Sequence, residues 1–217
     1  MTKMEAIRAR HSVRQYLDKK IEEEKRQALD AMAKECNEKS GLHLQVIYDE
    51  PKCSNAVLSK VMRFKNCANY IAVVGKKNDL LLEEKAGYYG EMLVLLAQEL
   101  GLNTCWVAAT HGKCAAQIAE DEKLAIVIAL GYGANQGVPH KGKTAAQVSD
   151  VTEDLPDWYA AGLEAALLAP TAVNQQRFHI SLLGDTVSIT ADNKAYAMMD
   201  LGIVKYHFEV ASGRKCL

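Results

Sequence analysis

The chain has 217 residues, enough for one large domain or two small ones, and its 49% hydrophobic and 24% charged residues are typical of soluble globular proteins. The formal net charge of −1 gives no overall field to attract nucleic acid or an anionic membrane, so we expect neither as a partner. The six cysteines form no CxxC pair, which favours reduced thiols, no metal site and a cytoplasmic location. The amino terminus lacks the apolar core of a signal peptide, and the longest apolar run (124–130) is too short to cross a bilayer.

Apolar spacing predicts helices and strands in irregular alternation. In chain order, the pattern predicts helices at 2–9 and 21–39, strands at 42–48 and 69–75, a helix at 79–100, strands at 103–108 and 124–133, a linker at 149–154, a helix at 156–169, strands at 178–183 and 187–191, and a last helix at 197–211. Because this order lacks a strict βαβ rhythm, the fold class that we predict is α+β.

Two parts of the chain share an arrangement. Residues 28–50 and 162–185 each contain an Ala-rich helix, a polar break with an Asn, and an alternating strand. Each part is followed by a helix rich in Gly, Tyr and Met, at 86–100 and 196–211. This similarity predicts a weak internal repeat, although any two helix–strand pairs share some of the pattern.

Arg10, Ser12 and Arg14 occupy alternate positions in RARHSVRQY (8–16). In an extended segment, side chains at i, i+2 and i+4 point the same way. Two guanidinium groups and a hydroxyl would then converge on one point, and phosphate suits that set because Arg binds it bidentately and stays charged. On this stretch alone, a solvated turn is the commoner interpretation.

Four blocks of the chain carry motifs that occur together in one known family. They are IRARHSVRQYLDKKI (7–21), GYYGEMLVLLAQELGLNTCW (87–106), IVIALGYGANQGVPHKGKTAAQV (126–148) and LAPTAVNQQRF (168–178). Together they resemble the FMN-dependent nitroreductase family. They resemble the family's flavin-phosphate block, its central helix with the following Trp-containing strand, its Gly-Tyr turn with a basic tail, and its Ala-Pro loop against the isoalloxazine ring. Each block is weak alone, and the four together carry the resemblance to the two-part branch of that superfamily.

The resemblance implies a fold and a set of FMN-binding residues. The fold is a central, mainly antiparallel sheet flanked by helices. The phosphate would be held by Arg10, His11, Ser12 and Arg14, with a point charge from Lys141 or Lys143. The ring would lie against the main chain of Ala108, Ala109 and Thr110 and against the loop residues Pro170, Thr171, Ala172 and Asn174.

The order of the blocks departs from the family pattern. The family places its Ala-Pro loop soon after the opening block and builds each site across a homodimer, whereas here that early place holds KECNEKSG (34–41), without Pro. If residues 151–217 act as the second subunit toward 1–150, one chain assembles one complete site. We therefore expect one compact unit, a monomeric pseudo-dimer, with a homodimer as the alternative.

The resemblance also implies a reaction. We expect an FMN-dependent oxidoreductase that uses NAD(P)H to reduce a small electron-poor acceptor, a nitro compound or a quinone, by ping-pong hydride transfer. The flavin carries this chemistry, so no catalytic side chain is predicted. The alternatives are a reductive dehalogenase or flavin-modifying enzyme on the same scaffold, a flavin-binding or storage protein without turnover, and a relative that binds no flavin.

Overall fold

The computed structural model describes residues 1–50, 64–107, 114–151 and 153–217. In chain order the elements are α1 (Lys3–Ala9), α2 (Glu23–Ser40), β1 (His43–Ile47), β2 (Asn69–Lys76), α3 (Leu82–Glu99), β3 (Asn103–Val107), β4 (Glu122–Gly131), α4 (Asp157–Leu167), β5 (Phe178–Leu183), β6 (Thr186–Ala191) and α5 (Ala197–Ser212), with short 3-10 turns at Ala145–Gln147 and Ala172–Asn174. Each of these helices and strands was predicted from the apolar spacing, with bounds that differ by a few residues.

A four-stranded sheet forms the centre of the fold. Its strand order is β1-β2-β4-β3, and every neighbouring pair is antiparallel. Strand β2 is buried on both faces: Ile71 and Val73 pack into one apolar cluster, Tyr70 and Ala72 into another. A second sheet consists of the antiparallel pair β5-β6. The predicted α+β class, a central antiparallel sheet with helices around it, is confirmed.

The segment after α1 runs extended along the edge of the central sheet. Helix α1 begins with a capping box in which Thr2 and Glu5 satisfy each other's backbone N–H groups, and its C-terminal cap is Arg10, in extended conformation. The Val13 N–H then donates to the carbonyl of Thr104 on β3 at 3.0 Å. Side chains alternate along an extended segment, so Val13 is buried in the core, whereas Ser12 and Arg14 on either side of it point to the opposite face.

Helices α3 and α5 cross at two glycines. A Cβ built at Gly87 would lie 2.0 Å from the carbonyl oxygen of Met199, and one at Gly202 would lie 2.0 Å from that of Glu84. No side chain fits at such distances, so glycine at both positions lets the two backbones touch. This crossing fixes the first turns of α5 beside the central sheet.

The carboxyl-terminal elements form their own apolar cluster, in which Tyr159 of α4 and Phe208 of α5 pack edge to face with ring centroids 5.7 Å apart. The predicted linker at 149–154 is paired at its start, because Ser149 forms a parallel bridge with Ile180 of β5. Among the described elements, α2-β1-β2-α3 and α4-β5-β6-α5 share the order helix, strand, strand, helix. None of the helices in the described ranges is both long and apolar enough to cross a membrane.

Candidate functional site

A cavity of about 500 Å³ lies between the extended segment after α1, the strands β3 and β4, and the start of α5. Cavities of several hundred Å³ are the size that proteins use for cofactors and other small ligands. Its apolar wall includes Trp106, Ile126, Met199 and Ile203. Its polar groups come from both ends of the chain.

Eight of the thirteen predicted cofactor-binding residues line this cavity: Arg10, His11, Ser12, Arg14, Pro170, Thr171, Ala172 and Asn174. The structure therefore brings the opening block and the Ala-Pro loop (168–178) to one place, although they lie far apart in the sequence. The predicted ring contacts at Ala108, Ala109 and Thr110 lie outside the described residues. That these groups hold a cofactor remains a prediction.

The two predicted lysines are not among the cavity-lining residues. Lys143 is turned toward the Ala-Pro loop, where its Nζ donates to the carbonyl of Gln176 at 2.7 Å. Lys141 is exposed, and its carbonyl oxygen accepts hydrogen bonds from Asn174 and Gln176. In this structure both lysines support the loop, and neither supplies a charge to the cavity wall.

Arg10 is the buried member of the predicted phosphate group. Its side chain is only 4% exposed, whereas Arg14 is exposed and Ser12 is half-buried. The Arg10 Nε has no hydrogen-bond partner among the described residues. A buried donor without an acceptor is costly, and because Arg10 lines the cavity, its guanidinium group lies beside any anion bound there.

Glu91 of α3 is fully buried beside Arg10 and connects several elements. Its Oε1 lies 3.8 Å from Arg10 Nε and 2.9 Å from His207 Nε2, and its Oε2 accepts from Trp106 Nε1 at 2.9 Å. His207 Nδ1 donates to the carbonyl of Ala165 at 3.0 Å, so a further proton must lie between His207 Nε2 and Glu91. Sequence analysis missed this cluster; its one visible signal is a charged residue inside the apolar run of α3.

His11 lies at the cavity beneath the loop that contains Val138, Pro139 and His140. Gly137 lets this loop pass close to His11, because its φ is +72° and a Cβ there would lie 2.7 Å from the His11 Cβ. Burial lowers the pKa of His11, and the neighbouring Arg10 and His140 lower it further. A neutral His11 can donate one hydrogen bond to a ligand without carrying charge.

The Ala-Pro loop has an unusual backbone. Val173, Asn174 and Gln176 have φ angles of +44°, +57° and +48°, and such conformations are uncommon for residues other than glycine. Internal hydrogen bonds hold them: the Thr171 hydroxyl accepts from the Gln176 N–H at 3.0 Å, and the Gln176 amide donates to Asn174 Oδ1 at 2.8 Å. Backbone strain of this kind concentrates at binding and catalytic sites.

Asn174 was predicted to offer its side-chain amide to the ring edge or to a substrate. In the structure its Nδ2 donates to the carbonyl of Lys141 at 2.8 Å, and its Oδ1 accepts from Gln176. Since an amide carries two N–H groups, one remains for a ligand. The residue therefore has a structural role in the loop and a free donor at the cavity.

Asp200, in the first turn of α5, is a second group that sequence analysis missed. Asp200 is one of the residues that line the cavity and is 5% exposed, and its carboxyl accepts the Ala172 N–H at 3.0 and 3.1 Å. Burial raises the pKa of Asp200 to about 7, with the Ala172 hydrogen bond acting in the opposite direction. No sequence signal distinguishes this Asp, because acidic residues in first turns are common.

Comparison with known proteins gives the family. A family model described as "Putative TM nitroreductase" matches residues 2–212. A putative nitroreductase from Thermotoga maritima MSB8 is similar in structure, with a TM-score of 0.69 and 24% identity over 97% of this chain and 83% of that one. No curated protein matches this chain.

Two further solved structures share part of the fold. An FMN-dependent nitroreductase from Clostridium difficile R20291 has a TM-score of 0.50 and 20% identity over 60% of this chain and 87% of that one. A putative NADH dehydrogenase/NAD(P)H nitroreductase from Bacteroides thetaiotaomicron VPI-5482 has a TM-score of 0.53 and 21% identity over 67% and 95%. These likenesses support the fold, and the match across residues 2–212 shows that the chain belongs to this nitroreductase family, whose name describes an oxidoreductase.

Proposed function

We propose that the chain binds FMN in the cavity and uses NAD(P)H to reduce a small electron-poor acceptor such as a quinone or nitro compound. The observation that carries the proposal is that Arg10 and the Ala-Pro loop line the same ligand-sized cavity. The buried Arg10 Nε has no hydrogen-bond partner among the described residues. The names of the Clostridium difficile and Bacteroides thetaiotaomicron structures, which include FMN and NAD(P)H, support the same choice.

The phosphate would lie at the end of the cavity that Arg10, Ser12 and Arg14 line. A phosphate monoester carries nearly two negative charges, and charge-assisted hydrogen bonds from guanidinium groups are among the strong ones in proteins. Arg10 lines the cavity and is only 4% exposed, so an anion there would meet a guanidinium group that is already largely desolvated.

The flavin ring would lie between Trp106, Met199 and Ile203 and the Ala-Pro loop. Flat aromatic ligands bind to apolar walls with a few oriented polar groups, and this part of the cavity offers such walls. When bound, FMN accepts a hydride from NAD(P)H and passes reducing equivalents to the acceptor, while the protein supplies position and polarity. Asn174 and Thr171 supply donors at the loop.

The single-chain pseudo-dimer is part of the proposal. In it, residues 1–150 supply the phosphate site and residues 151–217 supply the Ala-Pro loop, so one monomer binds one FMN. Two observations support it: among the described elements, α2-β1-β2-α3 within residues 1–150 has the same helix, strand, strand, helix order as α4-β5-β6-α5, and the closing helices of these two runs, α3 and α5, pack directly on one another at Gly87 and Gly202.

Turnover tests the proposal. The FMN-loaded protein should oxidise NADH or NADPH when a quinone or a nitroaromatic compound is present, with the parallel double-reciprocal lines of ping-pong kinetics. Flavin bound without turnover would contradict the enzyme and favour a storage protein. A chain that stays colourless after FMN addition would contradict flavin binding altogether.

A further inference from the structure

Reduction of a quinone to a hydroquinone consumes one hydride and one proton. Under the proposed function the hydride comes from NAD(P)H through the flavin, and no proton source has yet been assigned. The cavity-lining arginines cannot serve, because guanidinium groups stay protonated in proteins. The pKa of His11 is lowered, so this residue is neutral near pH 7. His140 Nε2 already donates its hydrogen to the carbonyl of Leu167 at 3.0 Å.

Among the described residues that line the cavity, Asp200 is the one with a carboxyl group. It lies within the first turn of α5, between the cavity-lining residues Met199 and Ile203 and next to the Ala-Pro loop. Both of its oxygens approach a single donor, the Ala172 N–H, at 3.0 and 3.1 Å. One donor leaves most of the hydrogen-bonding capacity of a carboxyl free, and a protonated carboxyl has an O–H to give.

On the elements packed against α5, the charged groups are either paired elsewhere or exposed. The paired ones are Glu84 with Lys205, Lys85 with Asp79, Glu91 with His207, Glu99 with Lys3, Glu164 with Arg8 and His179 with Asp150, and the Tyr88 hydroxyl donates to Glu209. Glu83 and Asp157 are exposed. The other charged or titratable residues that line the cavity with Asp200 are Arg10, His11, Arg14, His140 and Tyr196.

In the part of the chain that the structure describes, none of the ion pairs includes Asp200. An ionised carboxyl buried without a cation is costly, so such a group holds its proton at higher pH than an exposed one. The pKa of about 7 that burial gives Asp200 follows from this environment. The group can therefore be protonated before a reaction and ionised after it near neutral pH.

We propose that Asp200 is the proton donor to the acceptor in the reaction proposed above. One quinone oxygen receives the hydride equivalent, and the other receives the Asp200 proton: the carboxyl O–H bond breaks and a hydroquinone O–H bond forms. The quinone is reduced, NAD(P)H is oxidised, and Asp200 becomes a carboxylate. A proton from water then restores the carboxyl group. This inference rests on the proposed function.

Two acceptors separate proton donation from electron transfer. Ferricyanide takes one electron at a time and needs no proton, whereas a benzoquinone needs both. In D200N the side chain keeps its shape and still accepts the Ala172 N–H, but it has no acidic proton. We expect the ratio of quinone rate to ferricyanide rate in FMN-loaded D200N to fall about tenfold or more, in the range of general-acid catalysis.

The pH profile and a control variant complete the test. The wild-type quinone rate should fall as the pH rises through about 7, and the D200N quinone rate should not show that step. Asp185→Asn changes an exposed Asp in the turn between β5 and β6 and should leave both the ratio and the profile as in the wild type. A D200N variant with the wild-type ratio and pH profile would overturn the inference.

A readout without flavin addresses the proton itself. The infrared spectrum of the apo wild type minus that of apo D200N should show the carbonyl band of a protonated carboxyl at about pH 6, and this band should be gone at about pH 9. Absence of the band at pH 6 would overturn proton storage at Asp200. If the wild type binds no FMN, or binds it without reducing any acceptor, the proposed function fails and the inference fails with it.

Discussion

Arg10 shows how one residue combines structural and binding roles. It ends α1, lies almost wholly out of contact with water, and faces Glu91 at 3.8 Å without a hydrogen bond from its Nε. Burial lowers the pKa of Arg10 from its usual value, and the nearby Glu91 partly offsets this. The residue stays charged, because guanidinium groups stay protonated in proteins.

The phosphate assignment predicts a difference between two flavins. Arg10→Ala and Arg14→Ala should each weaken FMN binding by about 1.5–3 kcal/mol, roughly tenfold to a hundredfold, because each removes a charge-assisted hydrogen bond. Riboflavin has no phosphate, so its affinity should change little. Fluorescence titration of both flavins measures this, with Arg8→Ala, an exposed arginine paired with Glu164, as the control. Equal losses for FMN and riboflavin would contradict a phosphate contact.

Asp200 predicts a pH dependence of stability in the apo protein. Its pKa is about 7 in the folded chain and near 3.8 in the unfolded one, so the folded chain binds the proton more tightly. The stabilisation from that proton is complete below about pH 4 and is lost as the pH rises to about 7. Relative to D200N, the wild-type free energy of unfolding should fall across this range by up to roughly 4 kcal/mol, at 1.36 kcal/mol per pKa unit.

Denaturant unfolding of both proteins at several pH values measures this difference. Parallel curves of stability against pH for the wild type and D200N would show that Asp200 has an ordinary pKa in the folded chain.

At the level of elements, the crossing of α3 and α5 positions the cavity wall. Gly87→Ala places a Cβ where the Met199 carbonyl now lies, so the helices must separate, at a cost of about 1–3 kcal/mol or more. Because Met199 and Ile203 line the cavity, FMN affinity should fall as well. The matched control is Gly142→Ala, whose Cβ would meet only Gln176 Oε1, at 4.0 Å. Thermal unfolding that leaves both variants equal to the wild type would contradict the close crossing.

Glu91 connects α3 with β3 and α5 through buried hydrogen bonds. Glu91→Ala leaves Arg10 without its buried counter-charge and Trp106 without an acceptor, so we expect a loss of about 3–5 kcal/mol of unfolding free energy. Glu91→Gln also removes the counter-charge of Arg10 but keeps an acceptor for Trp106 and a donor to His207 Nε2, so it should cost less than Glu91→Ala.

The control for this pair is Glu83→Ala, which removes an exposed carboxylate from the same helix and should change stability by less than about 0.5 kcal/mol. Denaturant unfolding measures all three variants. If Glu91→Ala is as stable as Glu83→Ala, the buried cluster does not hold the elements together.

The sequence was sufficient to predict elements whose periodicity is strong. The apolar spacing of α3, the alternation in β1 and the unbroken apolar run of β2 each follow from which faces are buried. Gly41 lies just beyond the predicted helix at 21–39, as glycine often does, and it caps α2 with a φ of +72°. The pairing of Ser149 with Ile180, at the start of the predicted linker, could not be predicted because it depends on residues distant in sequence.

The site could be predicted only in part, for a similar reason. Arg10, Ser12 and Arg14 carry a local signal, since alternate spacing along an extended segment places them on one side. Glu91 and Asp200 have no sequence signal of similar strength, because their importance arises from burial and from partners on other elements. Motif resemblance could not identify Asp200, which lies outside all four blocks.

At the scale of the whole molecule, one chain supplies both sides of the cavity. The opening block contributes Arg10 and Arg14, and the Ala-Pro loop contributes Pro170 through Asn174. One described chain thus brings both groups to the cavity, and the proposal of a monomer that binds one flavin rests on that arrangement.

The most direct test is to titrate FMN into the apo chain while its mass in solution is measured by light scattering. We expect saturation at one FMN per chain on a monomer. We expect riboflavin to bind roughly tenfold or more weakly, because it lacks the phosphate. Absence of FMN binding, or binding only by a dimer at one FMN per two chains, would contradict the proposal.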